Sequence, residues 1–241
     1  TLNAKILRDM IRQTVYAVSE NTAKPIYTGS LYEIEDGVFK IIAIDGYRMA
    51  IRSENVDSES KNRFVVPGKT QHEVLKLLTD DEENTEIIIG QRHITFKIKN
   101  YRIISRLIEG TFIEYKSAIP KETKTEVVIN TRTIIDAVER MSLLNNDRIQ
   151  SPVRCIFSDD EIKLSCTSAV GRANDVISVP IIGESVEIGF NNRYLLDALK
   201  NADTDEIKLI LNGSLTAMIV KPVKGDSYLS IVVPMRLANE N

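Results

Sequence analysis

Ser30-Leu31-Tyr32-Glu33-Ile34-Glu35-Asp36-Gly37-Val38-Phe39 is the stretch on which the fold turns. Two apolar-rich runs flank Asp36-Gly37, the dipeptide that most readily takes the positive dihedrals of a tight hairpin turn. A second stretch of the same kind runs from Arg154 to Leu164 and pivots on Ser158, Asp159 and Asp160. The blocks around these two hairpins follow each other in the same order, so the chain reads as one unit written twice.

Ahead of each hairpin lies an amphipathic helix. Leu2, Ile6, Met10, Val15 and Val18 fall near one face of the first, and Ile134, Ile135, Val138, Met141 and Leu144 match them in the second. Beyond each hairpin comes another helix, Thr70 to Leu78 and Asn192 to Leu199. An acidic, loop-like stretch closes each, Thr79 to Thr85 and Asn201 to Glu206. Each copy then has two strands around a turn, Ile87 to Ile98 at Gly90 and Ile207 to Val220 at Asn212-Gly213. Equivalent blocks stand about 120 residues apart, far beyond the period of a solenoid repeat. Alternation such as Glu161-Ile162-Lys163-Leu164-Ser165-Cys166 implies strands with one buried face, roughly eight per copy, which the two helices must cover. The expected fold is α+β: two tandem domains, each with two helices packed on antiparallel sheet. The polar linker Ile119 to Thr125 puts the cut near Pro120, giving domains 1–120 and 121–241.

Length and composition agree with two folded domains. The chain has 241 residues, 43% hydrophobic and 27% charged, with only 11 Gly and 7 Pro, which excludes disorder as its main theme. Its 31 Lys and Arg against 34 Asp and Glu leave a net charge of −3, so any attraction to nucleic acid must be local. No apolar run reaches the length of a membrane span, and the first residues lack an uncharged signal core, which points to the cytoplasm and to no membrane partner. Cys155 and Cys166 read as free thiols in a reducing compartment. The chain starts without Met and inside a helical pattern, which reads as a fragment of something longer.

Chemistry-bearing motifs are few. Gly68-Lys69-Thr70 lacks the upstream Gly of a phosphate loop, whose place is held by Arg63, and reads instead as a helix start with Thr70 near the cap. His72 and His93 sit in different blocks without a partner at metal spacing. Asp45 and Arg48 read as a turn rather than a catalytic pair, since no nucleophile or second carboxylate accompanies them. The sequence implies no enzyme, no cofactor and no metal.

The segments Ile44-Asp45-Gly46-Tyr47-Arg48-Met49-Ala50 and Leu107-Ile108-Glu109-Gly110-Thr111-Phe112 come first, followed by Tyr115 and Pro120. Gly189-Phe190-Asn191 with Tyr194-Leu195-Leu196, and finally Val233-Pro234-Met235-Arg236-Leu237, complete a set. Taken together in this order, they resemble the bacterial sliding clamp family, the β subunit of DNA polymerase III. The likeness spans the whole chain and matches the second and third of that family's three repeats. It implies tandem DNA-clamp-like domains in a processivity factor. Two three-domain copies close into a ring around double-stranded DNA, without regard to its sequence. The first repeat is absent, so this piece is expected to be monomeric.

The resemblance also implies partners and sites. The replicative polymerase, the clamp loader and other clamp-binding proteins would dock short linear motifs into a cleft between the two domains. By motif, the first domain supplies Tyr27, Ile44, Gly46, Tyr47, Arg48, Met49, Ile113 and Ala118. The other supplies Asn191, Tyr194, Leu215, Ile231, Val232, Val233, Pro234, Met235, Arg236 and Leu237. Adaptable Met, aliphatic walls and tyrosine tips suit a peptide site. Ile113 stands where many relatives have Pro, Ser117 where some have Arg, and Tyr47 where His is frequent. Ala238 to Asn241 extend past the family's usual end and would lie at the cleft rim. Lys5, Arg8 and Arg12, at i, i+3 and i+7 on one helix side, form a candidate DNA-facing stripe with Lys69. Arg132, Arg140, Arg193 and Lys200 are interleaved with Asp136, Glu139 and Asp197 and are weaker candidates. Leu143 and Leu144 match the ring-closing contact. The rival expectation is a protein-interaction scaffold of duplicated α+β domains with no DNA role.

Overall fold

A computed structural model describes residues 1–79, 83–144 and 151–237. The chain divides into two compact units, Thr1–Glu114 and Tyr115 onward. The division falls ahead of Pro120 because Tyr115, which opens the short 3-10 turn Tyr115–Ala118, is buried and counts with the second unit.

The first unit opens with β1 (Leu2–Asn3) and α1 (Ala4–Val15), followed by β2 (Gly29–Glu35), β3 (Val38–Ile44), β4 (Arg48–Asn55) and β5 (Asn62–Pro67). Then come α2 (Gly68–Leu77), β6 (Asn84–Ile89), β7 (His93–Ile98) and β8 (Tyr101–Arg106). Its strands form two antiparallel layers, ordered β1-β6-β7-β8 and β4-β3-β2-β5. The second unit runs β9 (Thr125–Asn130), α3 (Thr131–Ser142), β10 (Val153–Ser158), β11 (Glu161–Ser168), β12 (Gly171–Ser178) and β13 (Ile181–Gly183). It continues through β14 (Val186–Phe190), α4 (Asn192–Lys200), β15 (Glu206–Leu211), β16 (Met218–Pro222) and β17 (Tyr228–Val232). Its layers are β9-β15-β16-β17, edged by β13, and β12-β11-β10-β14. With β13 set aside, the two units share one topology strand for strand.

Local chemistry explains where the elements begin. Asn3, Asn130 and Asn191 each cap a helix: their side-chain oxygens accept from Ile6 N at 3.2 Å, Thr133 N at 3.0 Å and Tyr194 N at 3.2 Å. The α2 helix starts after Pro67 with no side-chain cap, and Thr70 instead shares a 2.6 Å hydrogen bond with Ser105. Both expected hairpins form. Glu35 faces Val38 across Asp36 (φ 51) and Gly37 (φ 73), and Ser158 faces Glu161 across Asp159 (φ 54) and Asp160 (φ 55). Each is a two-residue turn with both central residues left-handed, the geometry that matches strand twist.

Two expectations need correction. α1 runs only from Ala4 to Val15, so Leu2 and Val18 lie outside the helix, although both join the same core as Ile6, Met10 and Val15, and Leu7, Ile11 and Thr14 complete its buried face. Leu2 belongs to β1, opposite Thr85, and Thr14 buries because its hydroxyl donates to Met10 O at 2.8 Å. The β15–β16 connection is the loop 212–217, not a tight Asn212-Gly213 turn, since Asn212 Oδ1 is drawn away to accept Lys124 N–H at 3.0 Å.

Each unit closes its own core. Leu7, Met10 and Ile11 of α1 meet Tyr32, Ile41, Val66, Ile94 and Phe96 in the first. In the second, Ile134, Val138 and Met141 of α3 meet Phe157, Ile162, Leu164, Phe190, Leu209 and Val220. Cys155 and Cys166 are buried within that core and are not joined in a disulfide. Among the described residues no helix is long and apolar enough to cross a membrane.

Candidate functional site

The β3–β4 turn is built by one carboxylate. Asp45 Oδ1 accepts the backbone N–H groups of Tyr47 at 2.9 Å and Arg48 at 3.0 Å, and Gly46 supplies the required φ of 95°. Asp45 Oδ2 then accepts Arg48 Nε–H at 2.9 Å, and the guanidinium carbon lies 5.4 Å from the Tyr16 ring centroid. Arg48 is only 6% exposed, so it is a fixed cation rather than a waving one, while Tyr47 beside it is 60% exposed. Ile44 is half-buried and Met49 is buried. Tyr27 is half-buried against Phe112, edge to face at 5.7 Å, and Ile113 next to Phe112 is exposed. Ala118, grouped with these by motif, lies in the 3-10 turn that opens the second unit.

The second set gathers around α4 and the segment after β17. Asn191 caps α4 and accepts the Tyr194 N–H, which leaves the Tyr194 ring partly buried against the second core. Past β17 the chain turns back toward β14, where Met235 N–H donates to Gly189 O at 2.8 Å. Val233 and Arg236 are exposed, and Pro234, Met235 and Leu237 are half-buried. Ile231 and Val232 are buried strand residues, with Val232 part of the core. Leu215 projects from the β15–β16 loop, 84% exposed. Ala238 to Asn241 lie outside the described residues.

Lys5, Arg8 and Arg12 share the side of α1 opposite Leu7, Met10 and Ile11; Lys5 is exposed and the arginines half-exposed. Arg12 also lies 3.5 Å from Asp9. Lys69 is exposed at the second position of α2, which packs against α1. On α3 and α4, Arg132 pairs with Asp136 at 2.8 Å, Arg140 with Asp175, and Lys200 with Glu139 at 2.6 Å. The Lys200 ammonium holds the Glu139 carboxyl below its ordinary range, through a hydrogen bond first and charge second. At the end of α3, Leu143 is 82% exposed, while Leu144 packs against the core. His72 and His93 are exposed, one on α2 and the other on β7.

Comparison with known families settles the ancestry of this arrangement. Residues 1–114 match the central domain of the DNA polymerase III beta subunit, and residues 116–236 match its C-terminal domain. The chain belongs to the DNA polymerase III beta subunit family. Among curated relatives, the beta sliding clamp of Halalkalibacterium halodurans is 33% identical over 242 residues, covering 98% of this chain and 64% of that protein. The Bacillus subtilis beta sliding clamp is 31% identical over 236 residues, covering 96% and 62%. Among solved structures, the sliding clamp of Bacillus subtilis superposes with a TM-score of 0.95 at 30% identity, over 98% of this chain and 64% of that one. The Pseudomonas aeruginosa clamp bound to griselimycin gives 0.93 at 28% identity, over 98% and 64%. The chain therefore spans less than two thirds of the length of these relatives.

For this beta-subunit chain the motif residues were legible, but their supports were not. Asp45 was visible as a turn former, yet the Tyr16 ring beneath Arg48 comes from just past the end of α1, 32 positions earlier (48 − 16), with no local signal. Gly189 entered only as one letter of a motif, and a side chain there would collide with Leu237.

Proposed function

We propose that this chain is part of a DNA polymerase processivity factor, a sliding clamp that encircles double-stranded DNA and tethers the replicative polymerase and other clamp-binding proteins. The match of both units, in order, to the family's central and C-terminal domains carries the reading. The role requires holding rather than catalysis. In the cytoplasm, Lys5, Arg8, Arg12 and Lys69 would face the duplex and meet phosphates loosely, which a sequence-blind sliding contact needs.

Peptide capture would draw on two patches. The first unit offers Tyr27, Ile44, Tyr47, Arg48 and Ile113; the second offers Tyr194, Leu215 and the Val233–Leu237 segment. Apolar anchors would supply most of the affinity and the arginines would meet carbonyls or acidic groups. Leu143 would contribute to closure of the homodimeric ring in the full-length protein, and the two-unit chain alone would remain monomeric.

A fluorescent Gln-Leu-Phe-type peptide titrated into the chain tests the tether, with Met235→Ala and Arg48→Ala as variants. Binding that both variants weaken supports the reading, and no binding by the unaltered chain removes it. For the DNA role, duplex binding at low salt should weaken on Lys5→Glu with Arg8→Glu and change little on Lys200→Ala. Equal effects would favour a scaffold without a DNA function.

A further inference from the structure

Both units fold the segment after their last strand back onto the strand that precedes their second helix. In the first, Ile108 bridges to Val65 of β5, its N–H donating to Val65 O at 2.9 Å. In the second, Met235 bridges to Gly189 of β14 through the 2.8 Å bond already described. Two residues further along these straps stand Gly110 and Leu237. The second unit thus has a side chain where the first has Gly110, whose φ of 136° requires glycine.

The missing side chain at Gly189 has a steric cause. A Cβ added at Gly189 would lie 2.6 Å from Leu237 Cδ2, 2.9 Å from Leu237 Cγ and 2.9 Å from Met235 O. Gly189 is not among the residues with positive φ, so a glycine is present there for close approach and not for backbone freedom. One backbone hydrogen bond leaves a short segment free to swing; Leu237 seated on a bare Cα adds an apolar contact that fixes its register. In that register Met235 is half-buried and Arg236 points to solvent.

We propose that Gly189 is a positioning residue for peptide recognition: by admitting Leu237 it locks the strap, so that Met235 and Arg236 meet an incoming peptide already in place. This rests on the peptide-binding reading above. A ligand that binds only the locked strap loses affinity in proportion to the fraction of time the strap is unlocked.

The test uses the full 241-residue chain, the same fluorescent Gln-Leu-Phe-type peptide, and hydrogen exchange at the Met235 amide. With Gly189→Ala, the Met235 amide should lose protection and peptide Kd should rise by about tenfold or more, as for a strap locked roughly a tenth of the time. Leu237→Ala, which removes the seated side chain without adding a clash, should act in the same direction and guards against a Gly189 variant that fails to fold. Affinity that is unchanged while the amide opens, or lost while the amide stays protected, overturns the positioning role. If the unaltered chain binds no peptide, the parent reading has failed at an earlier and separate step and this role falls with it.

Discussion

Asp45 grips Arg48 twice, at the backbone N–H with one carboxylate oxygen and at Nε–H with the other, at 3.0 and 2.9 Å. Both side chains are largely out of solvent, so removing the acid takes from a buried guanidinium its carboxylate partner. Asp45→Ala should lower the stability of the first unit by about 3 kcal/mol. Asp45→Asn, which keeps the acceptor of the turn and loses the ion pair, should cost less. Urea unfolding followed by tyrosine fluorescence would measure both; equal costs would show that the ion pair alone matters, and an Asn variant as stable as the unaltered chain that the turn alone does.

Cys155 offers a pH reading of the second core. Burial pushes its thiol up to about 12, against an ordinary value of 9.0. The folded state therefore holds the proton more tightly than the unfolded one. The associated stability is fully present below pH 9 and is lost as pH rises from about 9 toward 12. Cys155→Ala should flatten that part of the stability–pH curve. In the native chain at neutral pH the thiol should resist Ellman's reagent and should react once urea opens the core; rapid native labelling would contradict its burial.

The Asp159-Asp160 turn separates two uses of one residue type. Both residues take a left-handed φ, but Asp160 Oδ1 also accepts Ile181 N–H at 2.9 Å and Asp160 O accepts Val179 N–H at 2.9 Å. Asp159→Ala should cost about 1 kcal/mol for placing alanine at positive φ. Asp160→Ala should cost about 1 kcal/mol more, because the start of β13 loses its tether. Thermal unfolding of the two variants gives the difference directly, and identical melting temperatures would rule out the tether.

Features set by adjacent residues were readable from sequence, and features set by distant ones were not. Asp36-Gly37 announces its hairpin because both turn residues must accept positive φ. The asparagine caps are as local but went unread, and Thr70, read as near a cap, lies inside α2. Leu2 was read as part of α1 because its partner Thr85, which draws it into β1, lies far along the chain. The β15–β16 loop was read as a tight turn because Lys124, the donor that draws Asn212 aside, lies before β9. At the candidate site, the motif named Arg48, Ile231 and Val232 together, but alternation alone could not tell that all three are buried. Gly189 was visible only as part of a motif, since a missing side chain signals nothing until its neighbour is known.

The shared topology also orders assembly in time. The hairpins β2–β3 and β10–β11 join neighbours across two residues, whereas β1 must find β6, with Leu2 opposite Thr85, and β9 must find β15, with Ile129 opposite Ile207. Short closures form in roughly microseconds and surrender little chain entropy, while long ones wait for a collapsed globule to bring their ends together. Each half is therefore expected to zip from its middle, with β1 and β9, the opening strands of the two units, among the last to be stitched in.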